Sequence, residues 1–242
     1  MGSGKYGAVS GMIGRMRMMD NISEHLAAVK TTAYKKGKTT FEAQLGEATS
    51  GMATKAVNYS KMTKEEIDFT PGLPGATGEP LNLAIVGDGF FQVQQENGSV
   101  AYSRNGNFEL NALGELITVD GMQVLSPEGE PIILPQPDVD INTDGTIYVG
   151  QDMVGQVGLF KFEDNSVLSR SGSGMFVASD GTQPEPHPTP ELLQKSLEAS
   201  NVDMMRTMVR MTTNLRTFEA TQKALKIYSD MGAKAAEIGT VQ

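Results

Sequence analysis

The chain of 242 residues has no cysteine and no tryptophan, and aromatic residues make up only 6% of it. Without thiols there are no disulfides and no thiolate metal sites, while the redox compartment stays open, because such a chain tolerates any redox poise. Long apolar runs are missing too. The uninterrupted ones reach only a few residues, far short of the roughly 20 that a membrane-crossing helix needs, so direct membrane insertion is not expected. The opening MGSGKYGAVS lacks the apolar h-region of a secretory signal. Gly2 does not fit myristoylation, since Tyr6 stands where Ser or Thr is required. Histidine is scarce: His25 and His187 have no nucleophile or second ligand beside them in sequence, and a zinc site or a catalytic triad needs such company.

What is present is charge, unevenly placed. Residues 1–38 hold seven Lys/Arg against two acids (+5), and residues 191–242 hold seven against six (+1). With a total of −9, residues 39–190 are left at −15. A middle so acidic repels a phosphate backbone, so no nucleic-acid partner is expected. The basic residues of the N-terminus do not form a dense run and read as the solvated face of a helix.

Two terminal stripes stand out. From Ser200 to Ile238 the pattern predicts one long helix, with Met204, Met208, Met211, Leu215, Phe218, Gln222 and Leu225 alternating four and three apart, a heptad seam. Ser200 followed by Asp203 is expected to cap it in the manner of a capping box. At about 1.5 Å per residue this seam runs on the order of 50 Å, more than a small core covers. Between Tyr6 and Val29 the same spacing recurs at Val9, Met12, Met16, Met19, Ser23 and Leu26. Eight of the fifteen methionines fall in the windows Met12–Met19 and Met204–Met211, where an unbranched thioether suits a surface that must fit several neighbours. Gly7, Gly11 and Gly14 each weaken the first helix by roughly 1 kcal/mol against Ala, so it needs partners. The expected interface set is Val9, Met12, Met16, Met19, Leu26, Met204, Met208, Met211, Leu215, Phe218 and Leu225.

Between the stripes the chemistry changes. Residues 39–80, with Pro71-Gly72, Pro74-Gly75 and Gly78-Glu79-Pro80, read as an extended connector with short strands. From Leu81 to Thr182, short β-type runs alternate with turn dipeptides such as Asn97-Gly98, Asn105-Gly106, Asp120-Gly121, Glu128-Gly129 and Asp144-Gly145, the signature of an antiparallel β domain. Residues 183–190, within TQPEPHPTP, read as a stiff linker. The predicted class is α+β: long N- and C-terminal helices pairing in a coiled-coil-like layer (1–38 and 191–242) around a central antiparallel β domain (81–182).

Motifs that could carry chemistry fall short. Gly37-Lys38-Thr39 ends like a phosphate-binding loop, but Thr32 stands where its first Gly belongs. Asp140, Asn142, Asp144 and Gly145 open like a calcium loop, but the closing position is Gln151 instead of a bidentate Glu, and a hairpin accounts for the same residues. Gly87-Asp88-Gly89 is a turn with no helix after it. No cofactor, metal or catalytic residue is expected. A second reading stays open on residues alone: a monomeric acidic β-domain binding module, for calcium among other ligands, with a self-contained helix pair.

The residues also carry a resemblance. Leu26, Ala27, Val29, Thr31, Thr32, Tyr34 and Lys35 match the N-terminal signature N-N-L-A-N-V-N-T-T-G-[FY]-K of bacterial flagellar axial proteins, with Ala33 at its Gly and Glu24-His25 at its paired Asn. Ala84 to Phe91 resembles the family's A-I-x-G-x-G-F-F, and Tyr102 to Phe108 its Y-[ST]-R-x-G-x-F. Leu197 to Asp203 is similar to L-E-x-S-N-V-D, preceded by Gln194-Lys195 where the family has Gln-Gly, and Arg216 to Glu219 to R-x-[FY]-E. Length and a single β domain resemble a rod subunit more than the larger hook protein, and the proximal-rod subunit ahead of the distal one. The resemblance implies a structural subunit of the flagellar basal-body rod. It also implies export through the flagellar type III apparatus without a cleaved signal, and assembly with copies of itself and other rod subunits into a helical tube across the periplasm.

Overall fold

The computed structural model describes residues 2–38, 41–46, 57–62, 66–95, 97–172, 174–179 and 181–239. The class is α+β: two long helices at the ends of the chain and antiparallel sheets between them. Two compact units divide the chain, one made of Met1–Ala27, Gly37–Glu66 and Asp203–Gln242, the other of Ala28–Lys36 and Ile67–Val202. No described helix is long and apolar enough to cross a membrane.

In the first unit, helix α1 covers Gly2–Ala27 and helix α2 covers Met204–Gly239. The two pack on one another, and the antiparallel hairpin of Phe41–Gly46 with Val57–Met62 lays its second strand beside α1. The start of α2 differs from the expectation at Ser200. The N-cap is Asp203, whose Oδ1 accepts from the Arg206 N–H at 3.0 Å, while its backbone carbonyl accepts from Thr207 N. The reason lies upstream: Asn201 is tied through its backbone N–H to Tyr34 and through its side chain to Lys36, Asp68 and Thr70, which holds the chain out of the helix until Asp203.

The second unit is built on a large antiparallel sheet in the order Leu168–Arg170, Met175–Ala178, Val100–Ser103, Phe90–Gln94, Gln123–Val124, Leu116–Thr118, Phe108–Leu110. Leu159–Lys161 pairs with Phe90–Gln94 and on its other side with Glu185–Pro186. So part of the proline-rich stretch lies along the sheet as an edge strand, a place where a residue without an N–H is tolerated. A three-stranded sheet of Asp140–Ile141, Thr146–Val149 and Asp152–Gln156 carries a register shift at Ile147/Tyr148.

Two apolar clusters hold this unit together. The larger is aliphatic, around Leu83, Val93, Leu116, Leu134, Ile147 and Leu192, with Phe91 and Phe108 ring edge to ring face at 5.1 Å. The smaller is aromatic: Phe90, Tyr102, Phe162 and Phe176 meet in T-shaped pairs with Phe160 in the same cluster, and Phe69 closes it against Phe90 at 5.4 Å and Phe176 at 5.0 Å. Burial raises the Tyr102 phenol above its usual range. The scarce aromatics are thus concentrated where each full burial contributes about 1.5–3 kcal/mol.

Turn geometry explains two motif residues. Gly106 packs so tightly that a Cβ there would stand 1.9 Å from the Leu83 carbonyl oxygen. The Asp144 carboxylate accepts from the Thr146 N–H at 3.0 Å and from its hydroxyl, and these bonds hold its pKa below the usual carboxylate range. The calcium-like residues thereby form a hairpin turn closed by their own hydrogen bonds.

Candidate functional site: a charged clasp and two helix faces

The residues just after α1 and just before α2 meet within the second unit. Ala33 N donates to Glu198 O at 2.8 Å and Asn201 N to Tyr34 O at 3.1 Å. The Asn201 side chain ties three stretches together: its Oδ1 accepts from Lys36 N at 2.8 Å, and its Nδ2 donates to Asp68 O at 2.7 Å. Ser196–Glu198 pairs antiparallel with Pro74–Ala76. Gly72 sits beneath this strand, where a Cβ would reach 1.9 Å from Ala199 O.

At the centre lie three charged side chains, Lys35, Arg104 and Glu198, each only 1% exposed. Glu198 Oε1 accepts from Lys35 Nζ at 2.5 Å and from Gly72 N at 2.6 Å, and Oε2 accepts from Arg104 Nε at 2.8 Å. Lys35 Nζ also donates to Thr70 O at 3.0 Å. The Arg104 guanidinium donates its other nitrogens to Gly89 O at 3.1 Å and Gly87 O at 2.7 Å, bracing the turn before Phe90. Arg170 stacks over the Tyr34 ring at 5.0 Å and donates to Lys35 O at 2.7 Å. Burial, and next the Arg104 cation, lower the Lys35 pKa, with Glu198 opposing them. A buried pair of this kind adds little net stability, but losing one partner costs about 3–5 kcal/mol.

All three residues fall inside family-like motifs, where the sequence alone assigns them no role. Lys35 in a Lys-Lys doublet reads as a solvated face, and nothing local marks Glu198 or Arg104 as buried. Their motifs were the available signal, because a charge held at a set place among apolar and turn residues is what a buried network needs.

The helices present two kinds of face. On α2 the shielded positions Thr207, Met211, Asn214, Phe218, Thr221 and Leu225 again alternate four and three apart, with Thr217 and Gly232 shielded beside them. Thr207 and Thr221 tolerate this because their hydroxyls donate to carbonyls four residues back, at 2.6 and 2.8 Å. Asn214 is 4% exposed and donates through Nδ2 to Arg15 O of α1 at 2.9 Å, leaving its Oδ1 buried without a partner among the described residues. Of the expected interface residues, Met211, Phe218 and Leu225 are half-buried on α2, as are Met12, Met19 and Leu26 on α1. Met204, Met208 and Leu215 stay exposed (47%, 39% and 43%), as do Val9 and Met16 on α1 (42% and 52%). Met205 and Val209 extend the exposed apolar surface of α2. Sequence reasoning missed Ile22 and His25, both buried on α1; His25 Nε2 accepts from Gly37 N at 3.1 Å.

Comparison with known proteins places these features in a class. Residues 84–149 match the family model described as the flagellar hook protein FlgE/F/G D1 domain, and residues 193–238 match the flagellar basal body rod FlgEFG protein C-terminal model. The fold is thus that of the axial structural proteins of the flagellum. The flagellar basal-body rod protein FlgF of Salmonella typhimurium is 32% identical over 186 residues, covering 71% of this chain and 73% of that protein. FlgF of Caulobacter vibrioides is 28% identical over 98% of each chain, and the rod protein FlgG of Bacillus subtilis is 29% identical over 91% of this chain and 92% of its own. The chain belongs to the flagellar basal-body rod protein family, a family of structural proteins, and its place is the flagellar basal body.

Proposed function

We propose that this chain is a rod subunit of the proximal-rod type that polymerises through its terminal helices, with α1 and α2 pairing in a coiled-coil-like layer and adjacent copies covering what the pair leaves bare. The observation that carries the reading is the division of α2 into two faces. The face that carries Asn214 is partly polar, whereas Met204, Met205, Met208, Val209 and Leu215 lie exposed. An apolar stripe on the outside of a helix pair marks an interaction surface. Contacts between unlike surfaces propagate as a helical assembly when the rotation between copies does not close. At about 1.5–3 kcal/mol for each Met or Leu fully covered, a few such residues offset the ordering of a new subunit. The interface then comprises Val9, Met12, Met16, Met19, Leu26, Met204, Met208, Met211, Leu215, Phe218 and Leu225, the half-buried members being shared between the pair and its neighbours. Alignment with a FlgF protein over nearly the full length of both chains supports the proximal type. The subunit reaches the rod through the flagellar type III export apparatus and joins copies of itself and other rod subunits there.

Leu215→Asp tests this directly. Leu215 is exposed in the single chain, so the variant is expected to keep the folding stability of the free protein within about 0.5 kcal/mol. It should nevertheless be absent from purified basal bodies, because a carboxylate would enter a dry contact. Incorporation at the level of the unmodified chain would overturn the reading.

A further inference from the structure

We propose that Lys35, Arg104 and Glu198 form a latch that makes closure of the second unit conditional on both ends of the chain arriving together. The proposal goes beyond the assembly reading and stands without it. Glu198 is the keystone, because its one carboxylate serves two buried cations and a backbone N–H. The ammonium and the Gly72 N–H meet Oε1, and the guanidinium meets Oε2. These donors come from positions 163, 126 and 94 residues away in the sequence, so no local segment can build the cluster alone. Until Ser196–Glu198 is laid on Pro74–Ala76, Arg104 has no buried anion beside it and Lys35 cannot leave water. Desolvating either cation unpaired is costly. Arg104 also holds the carbonyls of Gly87 and Gly89, at the turn that leads into the central strand Phe90–Gln94. A chain held extended at either end therefore keeps its central sheet open, and the sheet locks when the last of the three segments docks.

The arrangement predicts an unequal ranking. Lys35→Met still leaves Glu198 paired with Arg104, so its effect is the smaller one. Glu198→Gln strands two cations side by side, and the double variant Glu198→Gln with Lys35→Met relieves their repulsion and recovers part of the loss. The test is urea unfolding of the full chain together with amide hydrogen exchange. Expected in Glu198→Gln are a lowered midpoint and faster exchange at Ala33 and Gly72 and also in Phe90–Gln94, with partial recovery of all three in the double variant. Lys36→Ala, which removes a partly exposed partner of Asp68, serves as the control and should leave Phe90–Gln94 protected. Fraying confined to Ala33 and Gly72 in Glu198→Gln, or a double variant less stable than the single one, would overturn the latch. If Glu198→Gln yields no folded protein, recovery of folded protein in the double variant supports the proposal and its failure overturns it.

Discussion

Ala33 and Lys195 are the non-glycine residues with positive φ among the described residues, at 55° and 58°. At both positions the axial-protein pattern carries a glycine that this chain lacks. A side chain in the left-handed region costs about 1–2 kcal/mol, part of which glycine gives back through greater freedom in the unfolded chain. Each backbone is held nonetheless: Ala33 N donates to Glu198 O, and Lys195 O accepts from Thr77 N at 2.8 Å. Ala33→Gly and Lys195→Gly are each expected to stabilise the protein, by about 0.5–1 kcal/mol, read as a raised urea midpoint. Lys35 supplies a second prediction. Its pKa in the folded protein lies below the ordinary 10.5, chiefly because of burial. In the window just below 10.5 the unfolded chain thus binds more protons at this site than the folded one. The Lys35 contribution to stability accordingly rises as pH increases through that window. Unfolding midpoints of the wild type and Lys35→Met across alkaline pH should show the wild type gaining on the variant; a gap that narrows would refute the assignment.

At the scale of elements, the terminal helices show how far periodicity reaches. The four-three spacing on α2 led to Met204, Met208, Met211, Leu215, Phe218 and Leu225, while the shielded face carries Thr207, Asn214 and Thr221 in place of Met204, Met208 and Leu215. Hydropathy could not single out that face, because its threonines satisfy their own hydroxyls within the helix and its asparagine reaches the α1 backbone. A buried asparagine in a helix pair lowers stability while restricting register, and here Oδ1 has no partner among the described residues. Asn214→Leu is expected to raise the thermal stability of the helix pair by about 1 kcal/mol, seen in circular dichroism melts; a lower melting temperature would mean that the bond to Arg15 O outweighs the unpaired carbonyl. Strand expectations fared better, since Leu83–Ile85, Phe90–Gln94, Leu116–Thr118 and Thr146–Val149 fall in the β-type runs set off by turn dipeptides. Such signals are local and survive tertiary context.

For the whole molecule, the residues joining helices to sheets belong with the sheets. Ala28–Lys36 and the stretch through Val202 lie in the unit that holds the large sheet. Limited proteolysis of the free protein is therefore expected to leave a resistant core whose C-terminal limit lies near Val202, still containing Glu198. Mass spectrometry of the fragment distinguishes this from a core ending near residue 180, which would mean that the clasp does not hold in solution.

Residue order alone was enough for the α+β class, the acidic middle, the turn-punctuated strands and the family motifs, because each rests on neighbours a few residues apart. It took the folded arrangement to show that Lys35, Arg104 and Glu198 are buried together, that Asp203 instead of Ser200 caps α2, and which stripe of α2 remains bare. Burial of a charge depends on what arrives beside it, and the donors that meet Glu198 come from 94 to 163 residues away. The start of a helix likewise depends on where the preceding residues are held, and for Asn201 that is a bond to residues 34, 36 and 68.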